Sequence, residues 1–294
     1  ITSTKKGARV NLNTPFNLTA QVPMQLNYGL DLMNDKTAQS LTDGRLWVPD
    51  MNMVNFAPYL QASATLINDL TIKGGLRVEN INIDVDDFNT LATGANGAGS
   101  IAVKGGKLNY DAFVFNTGIR YSRFKFFNPF VSFSQAFAIN ELGRILRSAE
   151  ESTIASLATD PIITNNYEAG FSSKFYNFNL TAAYYISTSK LGASYVYVDG
   201  NPQISRSPEK IYGFELSAKY RLHPKLDIGA NYSYTEGKRE LADKKVYLGG
   251  DRINPPKLTA YTIFRPLEDW SVFLQMINTS GRDKFEPVNG AYTY

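Results

Sequence analysis

Apolar residues recur at every second position along much of the chain. Phe178, Leu180, Ala182, Tyr184 and Ile186 fall on one side of an extended backbone, and Asn179, Thr181, Ala183, Tyr185 and Ser187 on the other. Tyr212, Phe214, Leu216, Ala218 and Tyr220 repeat the pattern against Gly213, Glu215, Ser217, Lys219 and Arg221. A strand points successive side chains to opposite faces, so each run makes one apolar and one polar face. Runs of about ten such residues with aromatics at their ends suit a strand that crosses a bilayer. The expected fold class is all-β, a transmembrane antiparallel β-barrel.

Twelve strands are expected, in six hairpins: residues 6–13 with 23–34, 55–67 with 70–83, 110–121 with 126–137, 165–175 with 178–198, 207–222 with 226–236, and 256–264 with 270–279. Longer polar segments lie between the hairpins at 35–54, 84–109, 138–166, 199–206 and 237–255. Residues 93–99 are Gly- and Asn-rich and read as a mobile loop, and 140–157 reads as a short loop helix. In outer-membrane barrels short turns face the periplasm and long loops face outside, which orients the chain. A soluble sandwich or solenoid would also alternate, but strand length and tyrosine-rich ends favour the barrel.

Composition changes this picture little. Hydrophobic content is 43 %, with no run near the roughly 18 to 20 apolar residues of a membrane helix. Aromatic residues reach 13 %, as interfacial girdles require. There is no cysteine, so no thiolate nucleophile or thiolate metal site is expected. His223 is the single histidine. It falls in a predicted periplasmic turn, away from the outer rim where a barrel hydrolase would need it, so neither catalytic nor metal-ligating residues are expected. A net charge of +3 does not point to nucleic acid. Ile1 opens a polar stretch with Lys5 and Lys6 rather than a signal peptide, so the expectation is a mature chain or a piece of something longer.

Several segments resemble the barrel of TonB-dependent outer-membrane receptors of the ferric-siderophore type. They are Gly74 to Asn80 (GGLRVEN), Gly118 to Tyr121 (GIRY), Phe127 to Gln135 (FNPFVSFSQ), Glu141 to Arg147 (ELGRILR), Asn166 to Gly170 (NYEAG) and Ser207 to Glu215 (SPEKIYGFE). Their order carries the resemblance more than any one of them. Ala136 stands where the family usually has Gly, and Asn140-Glu141 replaces a common Pro-Asp. The resemblance implies a barrel of roughly 22 strands with a plugged lumen. Residues 1–294 then form a partial barrel, a single domain of about twelve strands without the plug or the final strands.

Under that resemblance the basic and aromatic residues of the outer loops are the ligand-binding candidates: Arg45, Trp47, Arg144, Arg147, Arg206, Lys238, Arg239 and Arg252, with Arg282 beside them. Guanidinium groups offer paired donors to the oxygens of an anionic chelate. The same arginines would serve equally to bind lipopolysaccharide phosphates or to solvate loops. Tyr195, Tyr197, Tyr232 and Tyr234 are read as girdle residues or as ligand-stacking rings. Arg77, Glu79, Glu215, Lys219, Arg221 and Asp227 are expected to face the lumen. The implied function is uptake of a ferric siderophore, bound by external loops and released by a TonB-type complex acting on a plug absent from this chain. Iron travels inside the chelate, so no cofactor is expected. Outer-membrane lipid and lipopolysaccharide are the expected surroundings. A passive porin is the alternative; an outer-membrane enzyme is disfavoured.

Overall fold

A computed structural model describes residues 1–66, 69–92, 99–124, 126–139, 142–147, 149, 151–157, 160–198, 201–241 and 244–284, without the side chains at 144, 156–157, 193–198 and 201–205. The chain opens with β1 (Thr2–Thr19), β2 (Val22–Ser40), β3 (Leu46–Leu66) and β4 (Leu70–Val85). The short strands β5 (Phe88–Asn89) and β6 (Ala102–Val103) follow, then β7 (Gly106–Tyr121) and β8 (Asn128–Ala138). A one-turn-and-a-half helix α1 (Leu142–Arg147) and a 3-10 turn (Ile154–Leu157) lead to β9 (Ile162–Phe175), β10 (Phe178–Val198) and β11 (Asn201–His223). The chain continues through β12 (Leu226–Leu241), β13 (Lys244–Tyr247), β14 (Lys257–Phe264) and β15 (Val272–Thr279).

Twelve of these strands make one meander, β1-β2-β3-β4-β7-β8-β9-β10-β11-β12-β14-β15, each antiparallel to the next. They are the twelve expected. β13 pairs with β12 beyond the end of β14, and β5 pairs with β6 in a separate small sheet. Among the described residues the sheet is open, with β1 and β15 at its edges.

The strands run well past their expected ends on the long-loop side. β2 continues to Ser40 and β3 starts at Leu46, so the expected loop at 35–54 shrinks to residues 41–45. β10 ends at Val198 as expected, and β11 starts at Asn201, within the segment expected to be a loop at 199–206. The hydrogen-bond ladder continues from Gly192 opposite Ser207 to Val198 opposite Asn201 at the tip of the hairpin. The helix expected across 140–157 divides into α1 and the 3-10 turn. Residues 93–98 of the expected mobile loop lie outside the described set.

The registers align one apolar face from edge to edge. A single transverse row joins Leu180, Ala218, Ala230, Ala260 and Met276 across β10, β11, β12, β14 and β15. At the other end Phe16, Met24 and Ala64 stand side by side on β1, β2 and β3. Large side chains on this face are exposed, including Val10 (54 %), Phe113 (59 %) and Leu274 (67 %). A soluble monomer leaves apolar patches of a few hundred Å² at most. A face of this extent is built for lipid.

On the opposite face four aromatic rings lie across glycines of the neighbouring strand: Tyr59 over Gly29, Phe130 over Gly170, Tyr185 over Gly213 and Tyr261 over Gly229. A Cβ at Gly213 would sit 2.6 Å from the Tyr185 hydroxyl, and one at Gly229 would sit 2.3 Å from the Tyr261 ring. These glycines are required by close approach, and each ring covers backbone that no side chain of its own covers.

Candidate functional site

The polar face differs between its two halves. At the middle of β1 to β4 four charges close on one another. Arg9 Nε and Nη2 donate to Asp31 Oδ1 at 2.5 Å and Oδ2 at 2.9 Å. Arg77 Nη1 donates to Asp31 Oδ2 at 2.6 Å, and Arg77 Nε donates to Glu79. Asn55 Nδ2 holds the other oxygen of Glu79 at 2.9 Å. Tyr59 lies beneath, with its ring 5.8 Å from the Arg77 guanidinium and its hydroxyl accepting from Asn11 at 2.6 Å. Two carboxylates and two guanidiniums therefore satisfy each other within the wall.

Between β8 and β14 the same face is left open. Glu168 and Glu215 line a hollow of about 350 Å³ with Thr181, Ser217, Asn231 and Thr259. Both carboxylates are exposed, and neither has a hydrogen bond or ion pair among the described residues. Glu168 lies on β9 and Glu215 on β11; Ala183 and Tyr185 of β10 stand between them in register. At the short-turn end of this half, Asp227 is fully buried beneath three cations: Arg221 Nε at 3.0 Å, Arg265 Nη1 at 3.1 Å and Lys219 Nζ at 3.6 Å. All six expected lumenal residues thus stand on the face opposite the lipid-type band.

Above the polar network the long-loop ends of β3, β4 and β7 turn apolar. Ile81, Ile83, Val85, Leu108 and Tyr110 pack with Phe88, Val103, Leu142, Leu146 and Ile154. The two long loops contributing to this core are tied to each other. Lys104 pairs with Thr153 in a parallel bridge, Lys104 N donates to Ser152 O at 2.8 Å, and Ile154 N donates to Lys104 O at 3.2 Å. α1 rests on β3, where Gly143 leaves room for Val48.

The predicted rim residues fall into two kinds. Several fasten loops: Arg45 pairs with Asp43 at 2.7 Å, Arg252 with Glu209 at 2.9 Å, Arg282 with Glu236 at 2.5 Å, and Arg206 Nη2 donates to Asp160 O at 2.5 Å. Arg239 is buried beside this group. The Arg45 guanidinium holds the Asp43 carboxyl below its ordinary value, chiefly by their hydrogen bond. Others meet aromatic rings instead. Arg147 stacks 4.9 Å over Trp47, which brings together two residues predicted separately, and Lys238 stands 4.6 Å over Tyr247. Arg147 makes no hydrogen bond or ion pair among the described residues, so its donors remain uncommitted. Tyr232 and Tyr234 pack on Phe214 within the apolar face, as girdle residues do. The side chains of Arg144, Tyr195 and Tyr197 lie outside the described set.

The profile of the "TonB dependent receptor-like, beta-barrel" family matches residues 2–294. The chain belongs to this family. Among curated relatives of this TonB-dependent receptor barrel, the Rhizobactin receptor of Rhizobium meliloti (strain 1021) is 26 % identical over 198 residues, 62 % of this chain and 26 % of the relative. The Ferric aerobactin receptor of Klebsiella pneumoniae is 25 % identical over 259 residues, 80 % of this chain and 34 % of the relative. The chain therefore spans about a quarter to a third of the curated relatives it matches. Among solved structures, the copper transporter OprC superposes with a TM-score of 0.77 at 13 % identity, covering 97 % of this chain and 45 % of that one. At that identity the likeness concerns the fold.

Glu168 is the residue that sequence reasoning missed. It was legible as a polar position between Tyr167 and Ala169, but nothing in the pattern separates a free carboxylate from a paired one.

Proposed function

We propose that this chain forms part of the wall of an outer-membrane active transporter. Its long loops face outside and bind a ferric siderophore, and a plug energised by a TonB-type complex fills the lumen. The observation that carries the reading is the open carboxylate pair, Glu168 and Glu215, beside a closed network on the same face. Carboxylates left unpaired in a wall suit a cationic element of a separate segment docked against them. The curated relatives are named as receptors for rhizobactin and ferric aerobactin, which supports an anionic chelate as cargo. Arg147 leads the proposed ligand contacts, because stacking on Trp47 fixes its plane and leaves its edge donors for chelate oxygens. Arg45, Trp47, Arg144, Arg206, Lys238, Arg239 and Arg252 form the rest of the proposed rim. The chelate carries the iron, and no step is chemical: binding differs between two states of the transporter.

The test is accumulation of ⁵⁵Fe-aerobactin by iron-starved cells carrying the native receptor. Uptake should stop when a protonophore collapses the proton gradient and should fall in the Arg147→Ala variant. Flux that survives the protonophore would overturn active transport in favour of a passive channel.

A further inference from the structure

We infer that the inward face of β9 to β12 holds, at its short-turn end, an exit site for the anionic cargo, built from Lys174, Lys219, Arg221 and Arg265 around Asp227. The inference rests on the transport reading above and adds to it a second site, at the opposite end of the wall from the rim.

Register assembles the site. Lys174 of β9 and Lys219 of β11 both stand opposite Asn179 of β10, so two cations flank one amide in a single row across the sheet. Two strand separations of about 4.8 Å place their backbones about 10 Å apart. Gly229 and Tyr261 continue the row on β12 and β14, with the Tyr261 ring lying over the glycine. The two ammonium groups, the amide and the phenol can each donate a hydrogen bond. Nearer the turn Arg221 is opposite Asp227, and Arg265 reaches the same carboxylate from the turn after β14.

Charge selects the ligand. Among the described residues, Asp227 is the sole carboxylate on the inward positions of β8 to β15 between Glu215 and the short turns. It is fully buried and accepts from Arg221 at 3.0 Å and Arg265 at 3.1 Å, with Lys219 Nζ farther away at 3.6 Å. One negative charge therefore faces three positive ones. Lys174, exposed and without a hydrogen bond or ion pair among the described residues, adds another. The side chains of Arg221, Lys219 and Arg265 are 56 %, 42 % and 42 % exposed, so each keeps an open flank away from Asp227. Such an excess of cations on a low-dielectric wall attracts a multiply charged anion. At the short-turn end of β1 to β4 the inward residues are neutral, among them Asn13, Gln25, Asn27, Gln61 and Ser63, with Lys73 the sole charge. Lys219 lies four residues beyond Glu215, about 13 Å nearer the turn at about 3.3 Å per residue. The wall thus carries carboxylates at mid-height and cations at its exit, so an anion that has cleared Glu168 and Glu215 is drawn onward to the turns.

The test compares two readouts of ⁵⁵Fe-aerobactin on iron-starved cells carrying the native receptor: binding on ice with a protonophore present, and energised uptake. Lys174→Gln/Lys219→Gln leaves both arginines on Asp227. Its binding should equal that of wild type, while its uptake should fall about tenfold. Lys174→Arg/Lys219→Arg, which keeps the charge, should stay within about twofold of wild type. Should the double glutamine variant fail to fold, Lys174→Gln alone, at an exposed position, should lose about threefold in uptake. Lys73→Gln should lose none. Unchanged uptake in the glutamine variants would overturn the site, and an equal loss in Lys73→Gln would replace it by a general effect of lumenal charge. Entry of a glycopeptide antibiotic into the variant cells alone would mean that the lysines retain the plug, and would overturn a meeting with cargo. Wild-type uptake that survives the protonophore would instead overturn the transport reading beneath, whatever the lysines do.

Discussion

The two halves of the sheet alternate apolar and polar residues in the same way and use the result oppositely. From β1 to β7 polar groups settle within the wall: Arg9, Asp31, Arg77 and Glu79 on one face, and Asn34, Asn52, Asn80 and Asn82 on the other. From β9 to β12 the first of these faces also carries two carboxylates, Glu168 and Glu215, that are unpaired among the described residues, although Asp227 at the short-turn end is held by Arg221, Arg265 and Lys219. An unpartnered charge contributes nothing to holding a wall together. Glu168 and Glu215, two such charges on strands separated by β10, mark their stretch of the wall as suited to another molecule.

The comparison breaks first where the closed half is packed most tightly. Leu146, fully buried, anchors α1 in the apolar core. Leu146→Asp should cost about 4 kcal/mol in the packing of that core. Limited proteolysis should then nick the segment around α1 while the membrane strands stay protected; an unchanged digestion pattern would mean that α1 is not held by this core.

Charge removal sharpens the contrast. Arg77→Met leaves Asp31 and Glu79 without their shared cation and should lower stability by about 2 kcal/mol, a value reduced by the partial exposure of Arg77. Glu215→Gln removes a carboxylate that holds nothing, so the shift should stay within about 0.5 kcal/mol. Urea unfolding of the receptor in lipid vesicles compares the two. Equal shifts would erase the distinction between the halves.

The smallest effect is at the 41–45 turn. Arg45 depresses the Asp43 carboxyl below its ordinary value of 3.8. A depressed carboxyl contributes stability that is present above its unfolded pKa and lost as pH falls through the folded value. The turn should therefore be unaffected between about pH 5 and 8 and loosen only below about pH 4. Carboxyl ¹³C shifts of Asp43 report this, and Arg45→Gln should return the titration to the ordinary value.

How much of this was legible in the sequence follows from what reads each residue. Lipid reads one face of every crossing strand, so Phe178 to Ile186 and Tyr212 to Tyr220 announce themselves by alternation. Above the membrane no lipid distinguishes the faces, and the extensions of β2, β3 and β11 left no period to detect. The polarity of Arg77 and Glu79 was readable, but their partner was not. Asp31 lies 46 residues before Arg77 and meets it only through the registers of β2, β3 and β4. Trp47 and Arg147 were separate candidates for the same reason; α1 had to fold onto β3 before they became one feature.

The bridge between Lys104 and Thr153 has a mechanical consequence. The loop after β4 and the loop after β8 leave from different hairpins, yet they share hydrogen bonds and a single core, and so behave as one jointed arm with two shoulders. A molecule pressing on α1 does not merely bend the segment beneath it. It loads the far hairpin as well, so a touch at one point on the rim is felt across five strands of the wall.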